Sequence, residues 1–344
     1  MTTIIIVFVV TSLVAVLVGI ASTYFIKLVD TQEGEKIKSS LDDSSIEQQV
    51  KEEHITLLDR TVQALTVNDF SKLLSRDNLI ALIVFSILFG IAMNMAKEKA
   101  EPVRSFLISA NEIIMKLIQI IMYYAPIGLG CYFAALIGTF GANIAIGYVK
   151  TFILYIIIAF AFYFLVYSLY AFIAGGKKGV KRFWKNVIPS TLTALATCSS
   201  AASIPINIEA SKKMGVSDDI AETMIPLGTS FHKDGSIIGS VFKIMFLVCL
   251  FGTNIAGWGS FMQILVVALV ANLLITAVPI GGGTISEMMI LTMMGYPVAA
   301  LPILTIIATI IDPPATMLNV VGDTSSSMLV ARVVDGKEWD KRKE

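Results

Sequence analysis

Apolar residues run almost without interruption from Thr2 to Ile26, Leu79 to Met95, Phe106 to Phe140, Ile144 to Ala174 and Val241 to Gly252. The first four are close to or beyond the roughly 20 residues that cross a bilayer as a helix, and the last is shorter. They predict transmembrane helices. The first run has no basic stretch ahead of it and is longer than the apolar part of a secretory signal, so a membrane helix is expected there rather than a cleaved leader.

After Lys185 the pattern changes. Apolar segments are interrupted by clusters of Ser, Gly, Pro and charge, and backbone broken at membrane depth has to line a cavity or be buried in protein. The first cluster, TCSSAASIP from Thr197 to Pro205, and the second, AVPIGGGT from Ala277 to Thr284, each lie between two helix-compatible arms and have the form of re-entrant hairpin tips. Each is followed by a helix with polar residues at its centre, PLGTSFHKDGS from Pro226 to Ser236 and IIDPPATMLNVVGD from Ile310 to Asp323. Hairpin plus interrupted helix, occurring twice, is the sequence form of a transporter with inverted repeats and a site near the midplane.

The expected fold is therefore an all-α, multi-span membrane protein with two re-entrant helical hairpins. Its segments are a membrane helix over 1–28, a polar extracellular loop over 29–78 and scaffold and connecting helices over 79–174. A first hairpin with a broken helix follows over 175–252, a second pair over 253–334, and a cytoplasmic tail over 335–344.

Composition agrees with this reading, since 56% of the 344 residues are hydrophobic and 15% are charged, which excludes an ordinary soluble domain. Net charge is zero, but its distribution is informative. The stretches from Lys97 to Arg104, Gly175 to Lys185, Ser211 to Asp219 and Arg332 to Glu344 hold 3, 5, 2 and 5 Lys or Arg. Those from Gly138 to Asn143 and Gly252 to Gly259 hold none, and Asp30 to Asn78 holds six bases against eleven acids. The positive-inside rule places the basic group, and with it the C-terminus, in the cytoplasm. Cys131, Cys198 and Cys249 form no CxxC pair, so neither a disulfide framework nor a metal cage is indicated.

Ionisable side chains in a bilayer core are costly and mark function or pairing. Here they are His232, Lys233, Asp234, Lys243, Glu287, Asp312 and Asp323. In HKDGS, Gly235 lets the backbone leave helical geometry, so that freed carbonyls and the Asp234 carboxylate offer a hard cation oxygen ligands; the bland alternative is that Asp234 neutralises Lys233. Asp312, Thr316, Asn319 and Asp323 are spaced by 4, 3 and 4 and form one polar stripe on an apolar helix, suited to an ammonium group or a cation. The tips offer backbone amides for a carboxylate, from Gly281 to Gly283 and at Ser199 and Ser200.

These residues carry a resemblance. The tip from Ser199 to Pro205, the segment from Pro226 to Ser236 and the helix from Asp312 to Asp323 resemble, in order, the serine-rich hairpin, the PLG-x-[TS]-x-NMDG-[TS] segment and the D-x-x-x-T-x-x-N-x-x-GD helix of the dicarboxylate/amino acid:cation symporters, the family of the glutamate transporter homologues. YYAPIG, from Tyr123 to Gly128, also looks family-like.

The resemblance implies a secondary active symporter rather than an enzyme. Its substrate would be a small amino acid or dicarboxylate, coupled to Na+ or H+ without an organic cofactor, in a multi-pass, homotrimeric, lipid-embedded protein with no nucleic-acid partner. It implies that Asp312 holds the substrate ammonium, that Thr316 and Asn319 contact the substrate, and that backbone around Ser199, Ser200, Val278 and Gly282 holds its α-carboxylate. Asn319, Asp323 and Gly228 would belong to cation sites. Thr11, Ser12 and Asp234 would form a deeper one.

Departures from the family pattern matter as much. NMDG reads His232, Lys233, Asp234, Gly235, replacing a sodium-binding amide with imidazole and a thioether with an ammonium group. Three roles for Lys233 are open: a stand-in for a bound cation, a partner of Asp234 or Glu287, or a ligand of an anionic substrate group. His232 is a candidate for proton coupling, or else a neutral hydrogen-bonded side chain. Acidic-substrate members carry arginine three residues after the ammonium-binding aspartate, where this chain has Ala315, and Cys198 stands where some members place arginine. A neutral amino acid fits that better than glutamate or aspartate, with an acidic amino acid or C4-dicarboxylate as the alternative.

Family members also have two helices before the one matching Thr2 to Ile26, so a truncated, even non-transporting, form is a competing expectation. An intramembrane hydrolase using Ser199 or Ser230 with His232 and Asp234 is a remote third, lacking GxSxG and HExxH.

Overall fold

A computed structural model of the chain describes residues 2–29, 69–73, 79–124, 127, 131, 134, 138, 142–273, 283–336 and 339. The polar loop expected over 29–78 therefore lies largely outside the described residues, as do half of YYAPIG and most of the second hairpin tip, including Val278 and Gly282. Among the described residues the chain is helical throughout, with no strand.

Two units divide the chain, residues 46–135 forming one and residues 1–45 with 136–344 the other. The smaller contains α1′ and α2′, Leu79–Ala96 and Glu101–Met122, linked by the 3-10 turn Lys97–Ala100. The first begins where the apolar pattern predicts and the second five residues before its apolar run, where Arg104 closes an exposed ion pair with Glu101 at 3.3 Å.

The larger unit holds the site. It comprises α1 (Thr2–Thr23), α2 (Ala142–Ala161), α3 (Tyr167–Asn186), α4 (Ile188–Thr197), α5 (Ser200–Met214), α6 (Asp218–Phe231), α7 (Asp234–Phe251), α8 (Trp258–Leu273), α9 (Thr284–Met294) and α10 (Leu301–Val334). A π-helical turn, Phe162–Val166, joins α2 to α3. Inside α3, Gly175 and Gly176 leave helical geometry; at Gly176 φ is +60°, a conformation that glycine alone adopts at no steric cost.

Burial is arranged for a membrane. On α1, Thr11 and Ser12 are buried while Ile5, Ile6, Val9 and Val10 face outward, more than half exposed. Ile146, Val149, Ile153 and Ile157 do the same along α2. Polar-in, apolar-out faces of this length suit a hydrocarbon solvent. Among the described residues four helical stretches are long and apolar enough to cross a bilayer: Thr2–Thr23, Ile146–Asn186, Asp218–Phe251 and Val298–Val334.

The first cluster does form a helix–turn–helix. At its tip Cys198 takes a left-handed conformation (φ +48°) and Ser199 is extended, its hydroxyl accepting from the Ala202 N–H at 3.2 Å as the N-cap of α5. The helix that follows breaks between α6 and α7, at His232, which is extended, and Lys233, which is non-helical (φ −140°, ψ 76°).

In the second half the outcome differs from the sequence expectation. The interruption expected between Ile310 and Asp323 is absent, and α10 runs through Pro313 and Pro314 for 34 residues as one helix. Proline's φ is itself helical, and what it removes is the N–H donor. Packing of α3, α4, α5, α6 and α7 along α10 holds that helix through the gap.

Helix α10 is thus the axis of the unit, and α7 lies against it with almost nothing between. A Cβ at Gly235 would run into the Ala315 carbonyl, and one at Gly322 would stand 2.8 Å from Asp234 Oδ2 and 2.9 Å from the Tyr167 hydroxyl. Gly235→Ala is expected to lower the stability of the detergent-solubilised protein by about 3 kcal/mol, the upper end for overpacking because the atom met is backbone. Its thermal unfolding midpoint, compared with that of the parent, checks this.

Candidate functional site

The polar stripe sits on α10 as its spacing predicts. Asp312 is half-buried, whereas Thr316, Asn319 and Asp323 are buried, so the stripe runs from an accessible end to a dry one. At the accessible end Thr316 Oγ1 donates to Asp312 Oδ1 at 3.3 Å. The Asp312 carboxylate is within electrostatic range of Cys198, on the tip between α4 and α5, and of Tyr155 on α2. Both arms of the first hairpin pack along α10, and the tip lies toward the Asp312 end of the stripe, with Ser199 and Ser200, both buried, opening α5.

Further in, Asn319 ties α10 to the start of α7. Its amide oxygen accepts from Ser236 N at 3.1 Å, and its Nδ2 donates to Ser236 Oγ at 2.9 Å. On the other side of α10, Asn207 of α5 donates to the Val320 carbonyl at 2.9 Å and accepts from the Thr324 hydroxyl, and Ser327 bonds Ser211 at 3.2 Å. The second arm of the first hairpin is stitched to the helix bearing the stripe.

At the dry end four elements meet around His232. Its Nδ1 lies 2.9 Å from Asp323 Oδ1 and its Nε2 lies 2.8 Å from Thr11 Oγ1. Thr11 gives its own proton to the Val7 carbonyl at 2.7 Å, so toward the ring it presents lone pairs and Nε2 is the donor. Asp234 Oδ1 is 3.2 Å from Nε2, but that nitrogen's hydrogen bond goes to Thr11, and the carboxylate oxygen is in contact without a hydrogen bond. Phe8 of α1 stacks on the imidazole, centroids 4.7 Å apart and planes 9° from parallel. Asp323 rests against the bare backbone of Gly228, where a Cβ would overlap the carboxylate.

Thr11, Gly228, Asp234 and Asp323, read as cation-site residues from the sequence, are thus brought into one cluster. Ser12 lies on the next position of α1, against an apolar cavity of about 480 Å³ also lined by Phe8, Phe231 and Asn272. Val278 and Gly282 fall outside the described residues. The hydrolase reading loses its relay: the imidazole nitrogens meet Thr11, Asp234 and Asp323, while Ser230 Oγ donates to the Pro226 carbonyl at 3.4 Å.

The two charges flagged beside the cluster separate. Lys233 is buried, with Nζ donating to the Ser230 carbonyl at 2.7 Å. Glu287, a possible partner for it in the sequence, instead faces Lys243 of α7 at 3.7 Å and accepts from the Thr305 hydroxyl at 2.7 Å. Lys243 is one helical face away from the break, a pairing that neither motif nor spacing marks.

Missed entirely by sequence reading are the tyrosines of α2 and α3. Tyr155 donates to the Gly235 carbonyl at 2.8 Å, capping the backbone at the break. Tyr167 donates to the Leu318 carbonyl at 2.7 Å and lies 3.2 Å from Asp234 Oδ2. Tyr148, Tyr155, Tyr163, Tyr167 and Tyr170 recur at steps of 7, 8, 4 and 3, a helical stripe legible in the letters as one buried face.

Similarity to known proteins agrees with this geometry. The chain is 25% identical over 255 residues to excitatory amino acid transporter 2 of Mus musculus, a stretch covering 74% of this chain and 44% of that protein. It is 27% identical over 260 residues to excitatory amino acid transporter 1 of Rattus norvegicus, covering 74% and 47%. Against an excitatory amino acid transporter of Caenorhabditis elegans it is 24% identical over 259 residues, covering 74% and 50%. The chain spans about half the length of the curated relatives it matches. Residues 1–333 match the model of the sodium:dicarboxylate symporter family, and the chain belongs to that family of membrane transporters.

Proposed function

We propose that this chain carries a small carboxylate-bearing solute across a membrane, driven by a sodium gradient, and binds it between the first hairpin tip and the stripe on α10. The observation that supports this is the meeting of opposite polarities at one place. The N-terminal end of α5, capped by Ser199, presents backbone N–H groups and the positive end of a helix dipole, which suit a carboxylate. Asp312, in electrostatic range of that tip, suits an ammonium group. An α-amino acid carries both groups on one carbon, so it bridges the tip and the stripe with Thr316 beside it, and Asn319 contacts it on releasing Ser236. Val278 and Gly282 complete the carboxylate side from the second hairpin in this reading, and the two hairpins are the re-entrant gates of inverted repeats.

For the side chain of the solute we infer a neutral one. Position 315, one turn from Asp312, is an alanine packed on Gly235, and Lys233 directs its ammonium to the Ser230 carbonyl. A second carboxylate in the site would meet no arginine from the stripe or the first tip, and an unpaired buried charge is expensive. The relatives' names point to acidic amino acids for those proteins, so an acidic solute is the direct competitor in the test. Sodium as coupling ion follows the family's description; a proton gradient is the alternative. Assembly as a homotrimer with the C-terminus in the cytoplasm completes the proposal.

Purified protein in liposomes is expected to accumulate radiolabelled alanine or serine when sodium is high outside and equal amounts of unlabelled aspartate are present. Accumulation of aspartate in preference, or uptake that a proton gradient drives without sodium, would replace the corresponding part of the reading. Asp312→Asn removes a charge-assisted contact worth about 2–3 kcal/mol, so half-saturation should rise by roughly 30- to 150-fold in the same assay.

Cys198 provides an independent readout because it stands half-buried on the tip. In a background with Cys131→Ala and Cys249→Ala, substrate at ten times its dissociation constant should slow methanethiosulfonate modification of Cys198 by about tenfold, in step with occupancy. Equal rates with and without substrate would place binding elsewhere.

A further inference from the structure

The cluster at the dry end does not have the shape of an empty cation site. Hard cations are held by oxygen atoms converging from several sides, at roughly 2.3–2.6 Å in the calcium case. Here the oxygens do converge, from Thr11 on α1, Asp234 on α7 and Asp323 on α10, but an imidazole ring stands at the point of convergence. Its two nitrogens take up Asp323 Oδ1 at 2.9 Å and Thr11 Oγ1 at 2.8 Å, with Asp234 Oδ1 at 3.2 Å.

Nothing in the surroundings lets the ring swing away cheaply. Phe8 covers one face in a near-parallel stack, the side chain has no exposed surface, and the backbone at 232 is fixed by its N–H, which donates to the Gly228 carbonyl at 2.8 Å. The remaining oxygens nearby are also committed. Tyr167 reaches the second oxygen of Asp234 at 3.2 Å, and Asn319 spends both ends of its amide on Ser236.

We infer that the His232 side chain is the built-in occupant of the cation position between Asp234 and Asp323, so that this chain moves its solute with one coupling cation fewer than the oxygen set alone would hold. The inference rests on the transporter reading above. It assigns His232 a positioning role, holding α1, α7 and α10 together through every step that in an oxygen-only site would require an ion to arrive or leave. A transporter of this kind keeps its dry end closed whether or not sodium is present, and leaves sodium to act nearer the solute.

His232→Asn exchanges the ring for an amide whose oxygen joins the two carboxylates and the Thr11 hydroxyl, opening the position. Substrate binding to purified protein, measured as thermal stabilisation by alanine across a sodium series with choline replacing sodium, reads the result. Linkage makes the apparent affinity for solute rise about tenfold per tenfold in sodium for each ion bound with it. The variant should show a slope steeper than the parent by about one ion.

Equal slopes in parent and variant overturn the inference. Thr11→Val and Asp234→Asn serve if His232→Asn does not fold: with the ring as their partner, each should leave the sodium slope of the parent unchanged, and a loss of one ion from the slope in either overturns the inference. Stabilisation of the parent by neither neutral nor acidic amino acids nor by C4-dicarboxylates, at any sodium concentration, would instead count against the transporter reading itself.

Discussion

Two carboxylates buried in an apolar bundle set the terms for everything around them. Asp234 and Asp323 have essentially no exposed surface, and an ionised carboxylate without partners at that depth is not tolerated. Partners must therefore come from elsewhere in the fold, and they come from two directions, His232 from the break between α6 and α7 and Tyr167 from α3, while bare backbone at Gly228 and Gly322 lets the carboxylates approach at all. The close contact of α7 with α10 at Gly235 follows from the same need. Any side chain there would part the two helices that carry the two carboxylates.

That constraint explains why so much of the unit was legible in the letters. Residues that are unaffordable in a membrane unless used stand out against apolar runs, so Asp312, Asn319, Asp323, Asp234 and His232 could be picked out singly, and their spacing placed four stripe positions on one face of a helix. The turn at Cys198 and Ser199 and the break at His232 were signalled by the same clusters of small and polar residues. Glycine and serine carry less information in the second half, where the tip between α8 and α9 lies outside the described residues.

What could not be read came from neighbours distant in sequence. Proline at 313 and 314 predicts a broken helix from local chemistry, but α10 is packed along its length by five helices, and tertiary contact outweighs the loss of two backbone donors. Tyr155 and Tyr167 look like ordinary aromatic core residues until the carbonyl of Gly235 and that of Leu318, some 80 and 151 positions away, are placed under their hydroxyls. Lys243 likewise gives no sign in sequence that its partner is Glu287.

The exchange of roles between positions 232 and 233 follows from the geometry of a helix break. In the sequence a stand-in for a bound cation is one of three open roles for Lys233. At this break, though, the two non-helical residues send their side chains in different directions. With α6 ending at Phe231 and α7 starting at Asp234, one of the pair must face α1 and α10 and the other must turn back along α6. His232 takes the first direction and is held there by Thr11, Asp323 and the Phe8 stack; Lys233 takes the second and reaches the Ser230 carbonyl. The flat ring fits between oxygens on three helices, so the space between the two carboxylates is filled by the rigid side chain rather than by the lysine.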